Sequence, residues 1–264
     1  MIPVIRWTLW QRRVSTIWWC VAVFALIFIT LIVYPPFRDE AAQLQKSFEN
    51  LPDAALQLFG GSADFFSPVG YLNSQIFFIT LPITLGILGI TLGHGLIGKE
   101  EQDLTIESLL SRPVSRTRLL MAKALSGVII LTLVSAVGLI TTLITARLVS
   151  LDVADKLILQ TMAACYLLAL SFGAIAFLFS SIGRARGAGI GITTFIALGG
   201  YIISSLAGTV DWLKVPAKVF PFHYYQSEAI LKQTFNWNNI YFLIAIVIVC
   251  AVASWLAFRR RDIY

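Results

Sequence analysis

Charge is what this sequence has least of. Only 13% of its 264 residues are Asp, Glu, Lys or Arg, about half the share of a soluble domain. None lies deep inside the long apolar runs, where ionisable groups mark proton relays, ion pathways or catalytic centres. That excludes an ion-coupled transporter, a pump with its own ion site and an intramembrane metalloprotease. Cysteine is equally sparse: Cys20, Cys165 and Cys250 each sit in an apolar run, with no Cys-x-x-Cys or Cys/His cluster, so neither a disulfide framework nor a metal site is expected. The two histidines stand apart, His94 near the end of one apolar run and His223 in a loop. There is no GxxxxGK[ST] and no Ser/His/Asp constellation on one side of the membrane. The chain is therefore expected to be no enzyme, with no catalytic residue and no cofactor of its own.

What is present is apolar surface, 58% of the residues. Six runs reach the roughly 20 residues a bilayer core requires: 14–34, 71–97, 119–146, 157–182, 188–208 and 240–258. The fold expected is a single all-α transmembrane domain over residues 1–264 with six transmembrane helices. Before the first run, residues 1–13 place Ile2, Ile5 and Leu9 at helical spacing, with Trp7, Trp10, Arg6, Arg12 and Arg13, the pattern of a helix lying in the headgroup region. The first run follows Arg12 and Arg13 as a signal peptide would, but it is long enough to span and lacks a small-residue cleavage site, so it reads as a retained span. Pro35-Pro36 should end it, and Pro82 should kink the second.

Six spans put both termini on one side. With the N-terminus inside, the inner segments hold Arg6, Arg12, Arg13, Lys99, Arg112, Arg116, Arg118, Lys123, Arg184, Arg186, Arg259, Arg260 and Arg261, which is 13 of the 20 cations. Cytoplasmic loops collect Lys and Arg, so both termini are read as cytoplasmic, and the net charge of +6 reflects topology rather than a nucleic-acid partner. The two long loops, 37–70 and 209–239, then lie outside. The first can form short helices, and the second is dense in aromatics that suit a segment dipping into the outer interface. Span five is rich in small residues, with Gly187 and Gly191 spaced for close helix approach, either within the subunit or to a second copy.

The longest charged stretch is Glu100–Lys123, inside the cytoplasmic segment 98–118 and the start of span three. Glu100, Glu101, Asp103 and Glu107 crowd its beginning, where negative charge favours a helix N-terminus. Ile106, Leu109 and Leu110 form an apolar stripe beside them, and Pro113 stops the helix. Arg112, Arg116, Arg118 and Lys123 then bring cations to the membrane surface.

This segment resembles the membrane subunits of type-2 ABC transporters, the exporter-type permeases. The shared pattern is Glu100, Thr105-Ile106-Glu107, Leu109-Leu110, Pro113-Val114-Ser115-Arg116 and Lys123, with Leu104 where the family usually has glycine and Gln102 where a second acid is common. Leu51-Pro52, Leu58-Phe59-Gly60, Ser67-Pro68-Val69-Gly70 and Pro221-Phe222-His223-Tyr224 resemble loops of the bacitracin-resistance and copper-enzyme-maturation permeases. The resemblance implies a multi-pass permease in the plasma (inner) membrane of a prokaryote, paired with a second copy, identical or homologous. It implies two ATPase subunits that carry ATP and Mg, docked on a coupling helix, Glu100–Ser111. Residues expected at that docking surface are Glu100, Glu101, Asp103, Ile106, Glu107, Leu109, Leu110, Arg112, Pro113 and Arg116. In the resembled family spans two and five line the transport path, which here carry Asn73, Gln75, Thr80, Thr84, Thr91, Thr193, Thr194 and Tyr201. A path this apolar favours a hydrophobic or amphipathic cargo moved outward. The rival reading is a six-span membrane enzyme or assembly factor without ATP coupling.

Overall fold

The computed structural model describes residues 1–39, 67–97, 115–183 and 188–260. Among these every regular element is helical, and six helices are long and apolar enough to cross a membrane. They are α1 (Ile2–Ile32), α2 (Pro68–Gly95), α3 (Arg116–Leu148), α4 (Asp155–Ile182), α5 (Ala188–Leu206) and α6 (Asn238–Arg260).

Residues 1–13 do not form a helix of their own. They are the opening turns of α1, whose 31 residues extend about 46 Å at 1.5 Å per residue, well beyond a hydrocarbon core of about 30 Å. The excess carries the aromatic and cationic residues: Trp7 stacks on Trp10 at 5.8 Å, and the Arg13 guanidinium lies 4.4 Å from the Trp10 ring. Helix α1 stops at Ile32, and a short helix, Tyr34–Asp39, takes Pro35 and Pro36 into its first turn, where a missing N–H leaves no bond broken.

Helix α2 begins on a Ser67 cap, whose hydroxyl accepts from the Gly70 N–H at 3.0 Å, with Pro68 in the first turn. Residues Asn73–Thr80 widen into a π-helical stretch. Pro82 follows directly, and its effect is absorbed there: the Leu81 N–H reaches back five residues to the Ile76 carbonyl. A π-turn is one of the few devices that relieve a break in the helical ladder.

Two hydrogen bonds fix α1 antiparallel to α2. Arg12 donates to the Gly95 carbonyl at one end, and the Tyr71 hydroxyl donates to the Thr30 carbonyl at 2.7 Å at the other. The Ser180 hydroxyl donates to the His94 carbonyl at 3.2 Å, which brings the C-terminal ends of α2 and α4 together, and Phe258 of α6 packs there with Leu96, Leu120 and Phe177. One face of the bundle thus holds the chain ends, the terminal face. The other holds the Tyr34–Asp39 helix, the α3–α4 turn and the 207–237 loop, the loop face.

The centre of the bundle is the α2–α4 pair, the two most buried helices. They cross where Gly89 and Gly93 meet Ala169 and Gly173 backbone to backbone. Helix α1 packs on α3, and α6 on α4. Helix α4 ends at Gly183, whose φ of 75° is the left-handed conformation that glycine adopts without strain after a helix. Helix α5 lies at the edge. A Cβ at Gly200 would meet Phe220, whereas one at Gly191 or Gly199 would meet no described residue within 4 Å.

Lys123, expected at the membrane surface, is buried at 2% exposure. It stands on the third turn of α3.

Candidate functional site

Of the residues expected at the ATPase-docking surface, Glu100, Glu101, Asp103, Ile106, Glu107, Leu109, Leu110, Arg112 and Pro113 lie outside the described residues. Arg116 is the first residue of α3, and its side chain is also outside the description. The eight candidate path residues are all described, and the structure divides them.

Thr91, Thr194 and Tyr201 come together along a groove between α2 and α5 of about 320 Å³. Its walls are otherwise nearly all apolar, including Ile87, Ile190 and Leu198, and Pro82 and Phe222 line it as well. Thr84, Gln75 and Asn73 are not in this lining. A second apolar groove, about 470 Å³, lies between α3 and α6 against the α2–α4 crossing, and none of the expected path residues lines it.

The hydroxyls behave as isolated hydroxyls in apolar helices do, turning to their own backbone. Thr91 donates to the Ile87 and Leu88 carbonyls at 2.9 Å each, Thr193 to Gly189 at 2.8 Å, and Thr80 to Gln75 at 2.5 Å. Thr193 and Thr80 are thereby satisfied within the helix. Asn73 is buried at 1% exposure. Its Oδ1 accepts from the Ser227 hydroxyl at 2.7 Å, and its Nδ2 has no partner among the described residues.

Ser227 belongs to the part of the site that sequence reasoning did not single out. The loop after α5 is a chain of short turns, Asp211–Leu213, Lys214–Ala217, Pro221–Tyr224 and Ser227–Leu231. Trp212, Val215, Val219 and Trp237 are exposed. Phe222, Tyr225, Ile230, Leu231 and Phe235 instead enter the main core. The Tyr225 hydroxyl donates to the Phe77 carbonyl at 2.6 Å. In the π register Phe77 would accept from residue 82, which is proline and has no N–H. The loop therefore supplies the donor that Pro82 withholds, and so fixes itself to α2. The only sequence signal was indirect, a proline that had to orphan some carbonyl nearby.

Removing that donor should be costly. Tyr225→Phe leaves a buried carbonyl unsatisfied and is expected to lose about 1–3 kcal/mol of stability, read as a lower thermal midpoint. Tyr224→Phe is the control, because the Tyr224 hydroxyl donates to the Lys218 carbonyl on the exposed side and should change little. Equal midpoints for the two variants would refute the capping role.

Between this loop and the end of α5 lies a polar cavity of about 470 Å³, lined by Ser204, Ser205, Lys214, His223, Gln226 and Glu228 among others. Three aromatic rings stand edge to face beneath it: Phe78 and Tyr201 at 5.8 Å, Tyr201 and Phe222 at 5.2 Å, and a fourth ring, Tyr225, 5.9 Å from Phe222. Burial, and secondarily the Lys218 charge, lowers the His223 pKa, which favours the neutral imidazole. Burial raises the Tyr225 pKa well above the ordinary phenol value, so it remains a donor. Lys214 lowers the exposed Asp211 carboxyl through their hydrogen bond and charge. Among the described residues no group of three or more His, Cys, Asp or Glu is placed to hold a metal.

Residues 10–263 match the family model described as ABC-2 family transporter protein. No curated protein matches the chain.

Proposed function

Because the chain belongs to the ABC-2 transporter family, and so is a multi-pass membrane subunit of an ABC transporter, we propose that it exports a hydrophobic or amphipathic substrate. Membership of the family makes this chain the transport membrane subunit rather than the ATPase, and in this reading a partner hydrolyses ATP. The finer reading has a separate ATPase docking on the Glu100–Ser111 helix, with two ATPases and a second permease copy completing the transporter. A helix held between the ends of α2 and α3 can pass a rigid-body push into the membrane. The distribution of cations supports cytoplasmic termini in a prokaryotic plasma membrane, with the loop face outward. The open Gly191 and Gly199 on α5 support a second copy on that side.

The observation that carries the substrate class is the α2–α5 groove. It is nearly all apolar, it runs along two helices of the bundle, and three of the expected path residues lie on it. A passive channel would need a ring of polar or charged side chains, and the described spans line no such ring here. The reading of a six-span membrane enzyme finds no metal-holding cluster among the described residues to support it.

Filling the groove tests this. With the cognate ATPase, Thr194→Phe is expected to reduce amphiphile-stimulated ATP hydrolysis about tenfold, equivalent to 1.4 kcal/mol of lost interaction, and to leave the unstimulated rate near native. Thr84→Phe, outside the lining, should keep its stimulation. If Thr194→Phe is stimulated as fully as the native protein, the α2–α5 groove is not the path.

A further inference from the structure

The polar cavity and the apolar groove share one wall. Phe222 lines both, while Phe78 lines the cavity and Tyr201 the groove. These three rings, 5.2–5.8 Å apart in edge-to-face contact, stand where the apolar groove and the polar space at the loop face adjoin.

The polar side has donors with nothing to bond. Many buried hydroxyls in the spans turn back four residues to a carbonyl, as Ser181 does to Phe177 and Ser254 to Cys250. Like Thr8 and Ser135, Ser204 and Ser205 do not. Both Oγ atoms are buried and have no partner among the described residues, and Ser205 is only 8% exposed. Both serines line the cavity. Buried polar atoms are otherwise almost always hydrogen-bonded, and these two residues stand on the cavity with that capacity unused.

Its charges specify which kind. Lys214 and Glu228 both line it and cancel, so a head of net charge is not favoured. Among the described residues each holds a local pair, Lys214 with Asp211 at 2.6 Å and Glu228 with Lys232 at 2.8 Å, and such pairs are weak enough to be exchanged for a ligand. Phe78, Phe222 and Tyr225 add aromatic side chains to the same lining, and aromatic rings are the groups that attract alkylammonium ions.

We propose that the two cavities are one site for a single-chain zwitterionic amphiphile, with its phosphate and amine head among Ser204, Ser205, Lys214 and Glu228. The tail lies past Phe222 in the α2–α5 groove. This rests on reading that groove as the substrate path, and it adds the head group and the place where it is held.

The test uses the purified full chain in lipid nanodiscs without ATPase or nucleotide. The probe is lysophosphatidylcholine carrying a photoreactive diazirine in its tail. Saturable labelling of the Thr91 and Thr194 peptides is expected. Unlabelled lysophosphatidylcholine should displace it, and lysophosphatidic acid, with the same tail and no amine, should need about tenfold more. Ser205→Phe, which fills the head cavity and leaves the groove open, should weaken labelling about tenfold. If that variant fails to fold, Ser205→Ala combined with Glu228→Gln should weaken labelling in the same direction. Labelling that rises without saturating, as bulk lipid would give, overturns the proposal. So does equal displacement by the anionic lipid, or native affinity in the head-cavity variants. Binding is read without ATP, so lost binding with intact ATP-driven export would remove this site alone, and intact binding without export would count against the transport reading alone.

Discussion

Gly93→Val is expected to abolish accumulation of folded protein, and Gly93→Ala to lose about 1–3 kcal/mol, a drop of several degrees in thermal midpoint. A Cβ at Gly93 would lie 2.2 Å from the Gly173 carbonyl oxygen and 3.0 Å from the Ala176 Cβ. At Gly89 it would lie 2.3 Å from the Ala169 carbonyl oxygen. The obstacle in each case is backbone, which cannot rotate aside as a side-chain end can. The α2 and α4 axes would have to part, and α4 also carries packing against α3, α5 and α6. Contact this close is how helices gain packing energy in lipid, where no hydrophobic force drives them together. Gly191→Ala and Gly199→Ala should leave the subunit's midpoint unchanged, since both positions face open space. A native midpoint for Gly93→Ala would contradict this account of the core.

That contrast shows where sequence reading succeeded and where it fell short. Six apolar runs of spanning length made the all-helical membrane fold legible, because the bilayer fixes length and composition so tightly. Which helices meet at their glycines was not legible. The small residues of span five drew the eye, yet the tight crossing uses Gly89, Gly93 and Gly173. A small-xxx-small pattern marks the ability to approach closely and does not name the partner. The kink expected at Pro82 is met by a π-helical stretch, and the donor for the orphaned Phe77 carbonyl comes from Tyr225, 148 residues beyond Phe77; no local pattern encodes so distant a pairing. The same holds for Ser227 on Asn73. Of the residues expected along the path, Thr91, Thr194 and Tyr201 lie on one groove between α2 and α5, while Thr80, Thr91 and Thr193 all bond their own helices. Lys123 reads as a surface cation on composition alone, and only the rotation of α3 shows it to be buried.

The second large effect concerns ATP coupling. Replacing Glu100, Glu101 and Glu107 by Lys changes the local charge by six units while leaving the apolar stripe Ile106, Leu109 and Leu110 in place. Membrane insertion depends on the spans, which these substitutions do not touch, so the triple variant should reach the membrane in native amount. Charge reversal across a docking surface turns attraction into repulsion worth several kcal/mol, and ATPase retained on the permease should fall at least about tenfold. Basal and amphiphile-stimulated ATP hydrolysis by the complex should be lost with it. The zwitterionic ligand site proposed above, measured without nucleotide, should be unaffected, which separates a coupling defect from a binding defect.

The most direct measurement is therefore copurification of the cognate ATPase with tagged native permease and with the Glu100→Lys, Glu101→Lys, Glu107→Lys variant, extracted from membranes holding equal amounts of each. The account predicts that the native chain retains the ATPase and the variant loses it, with both inserted alike. Retention of the ATPase at native level by the triple variant would contradict the assignment of Glu100–Ser111 as the docking helix.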